Sequence, residues 1–428
     1  MTQTIIFPCI EEYLQPYFQF FPRCEGREVA CKYITGLLMD GERKSVEPMS
    51  ERVSGSERSM QRLLSNARWD HIGLLEEYRK QMLKDTIDPQ GVLAIDDTGF
   101  PKKGRHIACV SRQYCGATEK IDNCQIGVSM SYIGQGIAWP YVMDLFVPKS
   151  WDNLEDPDCM MKRKKTRMPE SARFREKWRI ALEQIDIAMN DGVPHRAVVA
   201  DSWYGDIPEF RRELAKRNEN YVLGIHNNTQ VFIESPLIVE YESQSGRGRP
   251  MKYPKFIATN AKPVNVSIIG EKVEEQEWEH LELRQGSNGK PLVIEAFSMR
   301  VYPSVGFQKG VIPEEVWLLI ERRRHKKGGF ELRYFLSNLP SDMPTIEILC
   351  ISHERFWIEH GYQQLKDELG LDHHEGRSWI GWQRHVILVF LAFGYLTKLR
   401  IHEKKRLQEK IWKKRLMLAQ TTGKEFSV

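Results

Sequence analysis

The chain has 428 residues, of which 41% are hydrophobic and 28% charged, with a formal net charge of +4. That length accommodates two or three domains of roughly 150 residues each, and the apolar content can fill a core, which excludes a disordered or fibrous chain. No run of about 18 apolar residues stands out, and Met1 to Ile10 lacks the basic start and cleavage site of a signal peptide, so a cytoplasmic protein without a membrane span is expected.

The eight cysteines form no C-x-x-C pair, which argues against a zinc knuckle or a disulfide framework and for reduced, mostly buried thiols. The charge permits nucleic-acid binding without demanding it. From Glu42 to Asn66 the sequence predicts two short helices broken at Ser54-Gly55-Ser56, with Ser56 capping the second. Arg58, Arg62 and Arg68 on or just after that second helix suit a helix-turn-helix reader of DNA, while an ordinary helical hairpin accounts for the same pattern. Residues 1–87 are thus expected to form a helical N-terminal, DNA-binding domain.

A different texture begins near Asp88. GVLAIDDTGF, CQIGVSMSYIG and IAWPYVMDLFV predict three strands in an antiparallel meander. Phe174 to Asn190 has helical spacing, and HRAVVADSWYG is a buried strand with a polar end. IPEFRRELAKRN follows as a helix and YVLGIHNN as a further strand, giving a mixed α/β core over 88–228. Residues 229–334 break into short alternating stretches with Gly and Pro turns, a β-rich insertion. Helical periodicity returns from Thr345, so 335–400 is expected to complete the core, and 401–428 to form a basic helical tail.

Three places in this layout carry carboxylates suited to phosphodiester chemistry. Two-metal cleavage needs acidic ligands on rigid elements that hold the ions about 3.5–4 Å apart. Asp96 and Asp97 close the first strand and Asp201 closes the strand after the first core helix. Successive strand residues face opposite sides, so only one of Asp96 and Asp97 can be a ligand; Asp at a strand end is also an ordinary turn-former. In RFWIEHGYQQLKDELGLD, the residues Arg355, Glu359, Tyr362 and Lys366 share one helix face. There Glu359 can bind metal while Arg355 and Lys366 neutralise DNA phosphates, or the four can be a solvated face.

These segments resemble the transposases of bacterial insertion sequences in the DDE superfamily, in the branch with the signature Y-x2-R-x3-E-x6-K. Arg355, Glu359 and Lys366 match R-x3-E-x6-K, and Ser352 stands where the signature has tyrosine, leaving that role vacant or to Tyr362 or another residue. AIDDTGFPKKG is similar to the family's acidic pair followed by Thr, in which the second carboxylate is the ligand, which points to Asp97. VVADSWYGDIPEF is similar to its second motif, which points to Asp201. GLDHHEGRSWIGWQRHVIL, with Arg377, Trp382 and His385, looks like the stretch that follows the glutamate helix in one subgroup.

The resemblance implies a ribonuclease-H-like catalytic core interrupted by the β-rich insertion. It further implies two Mg²⁺ ions, replaceable by Mn²⁺, on Asp97, Asp201 and Glu359, as hard cations favour oxygen ligands. A metal-activated water frees a 3′-OH at a transposon end, and that hydroxyl then attacks the opposite strand or target DNA. The expected partners are double-stranded DNA, as inverted terminal repeats and target, and a second copy of the chain to pair two ends; the expected place is the nucleoid. Rival readings are an endonuclease of the same fold that does not join strands, and a non-catalytic DNA-binding descendant.

Further candidates have two readings each. Arg247 and Arg249 in SGRGRP can enter a minor groove or belong to a surface loop. The runs KRKKTR (162–167) and RRRHKK (322–327), with the basic tail, can form a phosphate track or solvated faces. Lys102 and Lys103 can steady scissile phosphates or be loop charges. Trp203 and Tyr204 can stack on a displaced base or be core aromatics. His373 and His374 lack the spacing of a zinc site.

Overall fold

The computed structural model describes residues 9–241, 255–285, 291–324 and 328–422, and within the last helix side chains are described only in part. The N-terminal helices are α1 (Ile10–Leu14), α2 (Cys24–Leu38), α3 (Val46–Arg52), α4 (Glu57–Ser65) and α5 (His71–Thr86). Ser56 caps α4 by accepting the Ser59 N–H at 3.3 Å, and Asp70 caps α5 through the Gly73 N–H at 3.0 Å. Met60, Leu63 and Leu64 bury one side of α4 and leave Arg58, Arg62 and Arg68 exposed.

The strands that follow are β1 (Val92–Pro101), β2 (Ser111–Cys115), β3 (Lys120–Gly134) and β4 (Ile137–Leu145). β3 runs antiparallel to both β1 and β4, as the meander predicts. Gln135 and Gly136, at φ 54° and 73°, make the two-residue turn that fits the twist of the hairpin. β2 was not foreseen; its alternating SRQYC pairs with the N-terminal part of β3.

Next come α6 (Pro157–Lys165), α7 (Lys177–Asn190), β5 (Ala197–Ala200), the one-turn α8 (Ser202–Gly205), α9 (Pro208–Lys216) and β6 (Tyr221–Ile225). β5 lies parallel between β1 and β6. The order β4-β3-β1-β5-β6, with helices crossing between the parallel strands, is a ribonuclease-H-like core.

The segment between the second aspartate and the glutamate holds β7 (Gln230–Phe232), β8 (Ile238–Glu240), β9 (Phe256–Ala258), β10 (Val264–Asn265), α10 (Val266–Lys272), β11 (Glu279–Gln285), β12 (Pro291–Pro303), β13 (Val316–Arg324) and β14 (Phe330–Ser337). β14 pairs antiparallel with β6, so the insertion continues the core sheet, which reaches twelve strands among the described residues. The boundary expected at 334/335 therefore falls inside a strand.

Last are α11 (Thr345–Glu354), α12 (Phe356–Gln363) and α13 (Trp379–Thr422), the last of which runs through the boundary expected at 400/401. Residues Trp379–Lys404 are long and apolar enough to cross a membrane by length and composition. Val386 to Phe393 are nevertheless buried, with α2, α4 and α5 packed on the helix, so its apolar surface is core. Arg384 reaches from α13 to the carbonyls of Leu63 and Leu64 at 3.2 Å each, and its guanidinium lies over Trp69. The carbonyls left over at the end of α4 are thereby satisfied from the core.

Two apolar layers sandwich the central strands. On one face Val92, Ala94, Ala197, Val199 and Val222 pack with Ile348, Leu349 and Ile351 of α11 and Ile358 of α12. On the other, Leu93, Ile95, Val198, Ala200 and Leu223 pack with Ala181 and Ile185 of α7 and Phe210 and Leu214 of α9. Full burial of each such aliphatic side chain contributes about 1.5–3 kcal/mol, which makes strand register costly to shift.

Candidate active site

Strand parity decides where each carboxylate points. Val92 and Ala94 face α11 and α12, and Asp96 continues that series; Ala197 and Val199 face the same way, and Asp201 continues theirs. The β1–β5 register sets Val92 against Ala197 and Ala94 against Val199, so its extension sets Asp96 beside Asp201. Glu359 stands on α12, which covers this face.

Asp97 belongs to the opposite series. Its carboxylate accepts a hydrogen bond from the Tyr204 hydroxyl at 2.6 Å and pairs with Lys177 of α7. Asp97 was expected to join Asp201 and Glu359; in the structure Asp96 is the member of the pair on their face. Sequence patterning contained the signal, since Val92-x-Ala94-x-Asp96 and Ala197-x-Val199-x-Asp201 are parallel series. It did not say which layer would carry the glutamate helix.

Arg355 is the cation at the centre of the acidic group. Its guanidinium lies 3.4 Å from Asp96 and 2.7 Å from Glu359. Burial weakens its charge, but the fields of Asp96, Asp201 and Glu359 outweigh that and raise its pKa. Burial pushes the Asp96 carboxyl up to about 7; Arg355 opposes this, and the charges of Asp201 and Asp97 reinforce it. Asp97 is also raised by burial, against the pull of Lys177. Asp201 caps α8, its carboxylate accepting the N–H groups of Trp203 at 3.1 Å and Tyr204 at 3.2 Å.

These three carboxylates offer oxygen donors only, the chemistry a hard divalent cation prefers. A buried carboxyl held near neutrality beside a second one gains from a cation at that spot. Among the described residues no group of three His, Cys, Asp or Glu is close enough to enclose a metal ion. Glu359, with its side chain 57% exposed, lies on Arg355 instead. The donor types suit such a cation, with Glu359 engaged by Arg355.

The other predicted residues divide between interior and surface. Tyr362 sets its hydroxyl against Ser129 and 3.3 Å from the Asp96 carbonyl, so it braces β1 from within and does not face solvent as a DNA contact would. Lys366, in a π-helical turn at Gln364–Glu368, donates to the Gly99 carbonyl at 3.2 Å, and burial lowers its pKa. Lys102 donates to the His374 carbonyl at 2.6 Å, with burial pushing its ammonium down to about 8. Both lysines tie the end of β1 to the loop after the glutamate helix, in place of the open phosphate contact expected of them. Lys103 is exposed. Arg247 and Arg249 lie outside the described residues.

Ser352, at the signature's tyrosine position, is buried and donates to the Leu349 carbonyl at 2.8 Å. Tyr204 is core and Trp203 is 44% exposed with the Lys177 ammonium 5.2 Å from its ring centroid. His374 is buried, stacked on His385, which hydrogen-bonds Tyr33. All eight cysteines are free, with Cys109, Cys115, Cys124 and Cys159 buried.

The basic runs are less open than the sequence suggests. Arg163 is buried and donates to the carbonyls of Trp151, Pro169 and Ala172, while Lys162, Lys164 and Lys165 are exposed. Arg322 pairs with Glu275 and Glu295, Arg324 with Glu295, and Arg323 with the fully buried Glu321. Beside Glu359 these arginines, with Arg333, Arg355 and Phe356, line a cleft of about 870 Å³ between the insertion strands and α12.

Residues 16–290 match the model of the DDE superfamily endonuclease family. The chain belongs to that family. The match spans both aspartate motifs and stops before the glutamate helix. A protein named "Probable transposase for insertion sequence element IS701", from Microchaete diplosiphon, is 24% identical over 371 residues, covering 84% of this chain and 80% of its own length. Membership in a family of DDE endonucleases agrees with the ribonuclease-H-like core and with acidic residues in the middle of β1, which runs on past the expected end at Asp97, and just after β5.

Proposed function

We propose that this DDE endonuclease is a cut-and-paste transposase that hydrolyses phosphodiester bonds at the ends of its own element and transfers the freed strand into target DNA. The observation that carries the reading is the placement of Asp96, Asp201 and Glu359 on one face of the sheet, with Arg355 among them. The similarity to the IS701 transposase supports the transposition part.

In this reading Asp96, Asp201 and Glu359 hold two Mg²⁺ ions, or Mn²⁺ in their place, which when bound supply Lewis acidity and an activated water or 3′-hydroxyl. Arg355 neutralises the carboxylates in the resting protein and moves to the scissile phosphate as Glu359 turns inward, a role its planar fork suits. Tyr362 and Lys366 keep β1 and the glutamate helix in register. The cleft beside Glu359 receives the DNA strand, with Arg324 and Arg333 among its lining residues. Lys103, Lys162, Lys164 and Lys165 supply further phosphate contacts, and α4 offers Arg58 and Arg62 to duplex DNA. Pairing two inverted terminal repeats calls for a homodimer on DNA, working in the cytoplasm at the nucleoid.

The test is Mg²⁺-dependent cleavage of DNA carrying the element's own ends, by wild type and Glu359→Gln. Wild type is expected to give both cut and joined products, and Glu359→Gln to bind DNA without cutting it. Cleavage with no joined product identifies an endonuclease without transfer; binding with no cleavage by a folded wild type identifies a non-catalytic DNA-binding protein. Unchanged cleavage by Glu359→Gln removes Glu359 from the site.

A further inference from the structure

The ladder between β1 and β5 extends only as far as Ala94 and Val199. Asp96 and Asp201 lie two residues beyond that last pair. Carboxylates that share a cation must keep their spacing to within about 0.5 Å; the β3 ladder holds Asp96 in place within β1, but no ladder ties it to Asp201.

One residue touches both the middle of β1 and the turn after β5. The Tyr204 N–H donates to the Asp201 carboxylate at 3.2 Å, and the Tyr204 hydroxyl donates to Asp97 at 2.6 Å. Asp97 is the chain neighbour of Asp96 and points to the other face, so gripping its side chain ties this part of β1 to the Asp201 turn without entering the site. Lys177 of α7 pairs with the second Asp97 oxygen, which gives that carboxylate a counter-charge and one orientation.

Tyr204 is itself held rigidly. Its ring is buried against Phe210, with centroids 5.6 Å apart. The α8 turn is pressed onto β6: a Cβ on Gly205 would run into the Gly224 carbonyl, and one on Gly224 would come within 3.1 Å of the Ser202 nitrogen. The two glycines let the turn seat directly on the sheet.

We infer that Tyr204, with Asp97 and Lys177, is a positioning brace behind the sheet that fixes the spacing of Asp96 and Asp201 for divalent-cation binding. This rests on reading Asp96 and Asp201 as cation ligands. It gives Asp97 a function, and it explains why β1 carries an acidic pair: one member faces the cation and the other anchors the strand to the Asp201 turn.

The experiment measures Mn²⁺ binding to the full-length protein by electron paramagnetic resonance of the free ion, alongside the Mg²⁺ concentration for half-maximal cleavage. Loss of an outer partner typically weakens metal affinity by about 10- to 100-fold. Tyr204→Phe is expected to weaken Mn²⁺ binding by about tenfold or more, to raise the Mg²⁺ midpoint by the same factor, and to recover cleavage at saturating metal. Asp97→Ala is expected to match it, and the double variant to be no weaker than either single one. A lower melting temperature with unshifted metal midpoints reduces Tyr204 to packing and overturns the inference.

If Tyr204→Phe does not fold, Asp97→Asn carries the test. It keeps an acceptor for the hydroxyl but loses the charge that holds Lys177, so a smaller shift in the same direction is expected, and no shift overturns the brace. Asp96→Asn separates the two levels. Mn²⁺ binding that survives in Asp96→Asn removes the ligand assignment itself. Binding lost there but unchanged in Tyr204→Phe removes the brace alone.

Discussion

Asp96 and Asp97 are consecutive residues whose carboxylates lie on opposite sides of one sheet: Asp96 meets Arg355 at 3.4 Å under the glutamate helix, and Asp97 meets the Tyr204 hydroxyl at 2.6 Å behind it. The two therefore have different electrostatic surroundings. One faces other acids and a cation shared with Glu359, and the other has a lysine of its own.

The pH dependence of stability follows from Asp96. Its folded pKa of about 7 lies above the value near 3.8 of an unfolded aspartate. The folded state thus holds the extra proton between these values, and metal-free stability falls as pH rises through that window. Asp96→Asn is expected to flatten that fall and to raise the melting temperature at pH 8. Thermal melts of both proteins at pH 5 to 8 in chelator check it, and a wild-type curve that gains stability with pH over this range contradicts it.

Arg355 competes with metal for the same carboxylates. Arg355→Gln removes the competing cation and also a phosphate partner. It is expected to bind Mn²⁺ more tightly than wild type while cleaving more slowly at saturating metal. Opposite movement of the two quantities is the signature; weaker metal binding in this variant would contradict the resting role of Arg355.

The attachment of the N-terminal helices is testable through Arg384. Its guanidinium donates to the carbonyls of Leu63, Leu64 and Trp69 inside the protein. Arg384→Met leaves the carbonyls of Leu64 and Trp69 without that donor, while Leu63 keeps the Trp69 indole N–H at 2.9 Å, at about 1–3 kcal/mol for each that stays unsatisfied. Denaturant unfolding is expected to show a loss of roughly 3 kcal/mol on that basis. A loss below about 0.5 kcal/mol, the usual scale of surface changes, would mean that water replaces the arginine.

Much of the core was legible because its signals are local. The apolar run Val92–Ile95, the helical spacing of Trp178, Ala181, Ile185 and Ala188, and Ser56 before α4 each act within one element. β2 was missed because Ser111–Cys115 is short, half-exposed and stabilised by a partner strand. The insertion read as separate because nothing in FELRYFLS announces that β14 will pair with β6. At the site, the acidic motifs and the R-x3-E-x6-K spacing were visible, but the choice between Asp96 and Asp97 turned on which layer α12 covers. The partners of Lys102, Lys366 and Tyr362 were hidden for the same reason, since each contacts a segment far away in sequence.

Asp96, and not Asp97, is proposed to complete the acidic site with Asp201 and Glu359. The most direct measurement is Mg²⁺-dependent cleavage of the element's ends by Asp96→Asn and Asp97→Asn, side by side and across a metal titration. No cleavage by Asp96→Asn is expected at any metal concentration, with cleavage by Asp97→Asn that returns as metal is raised. Activity retained in Asp96→Asn and abolished in Asp97→Asn would contradict it.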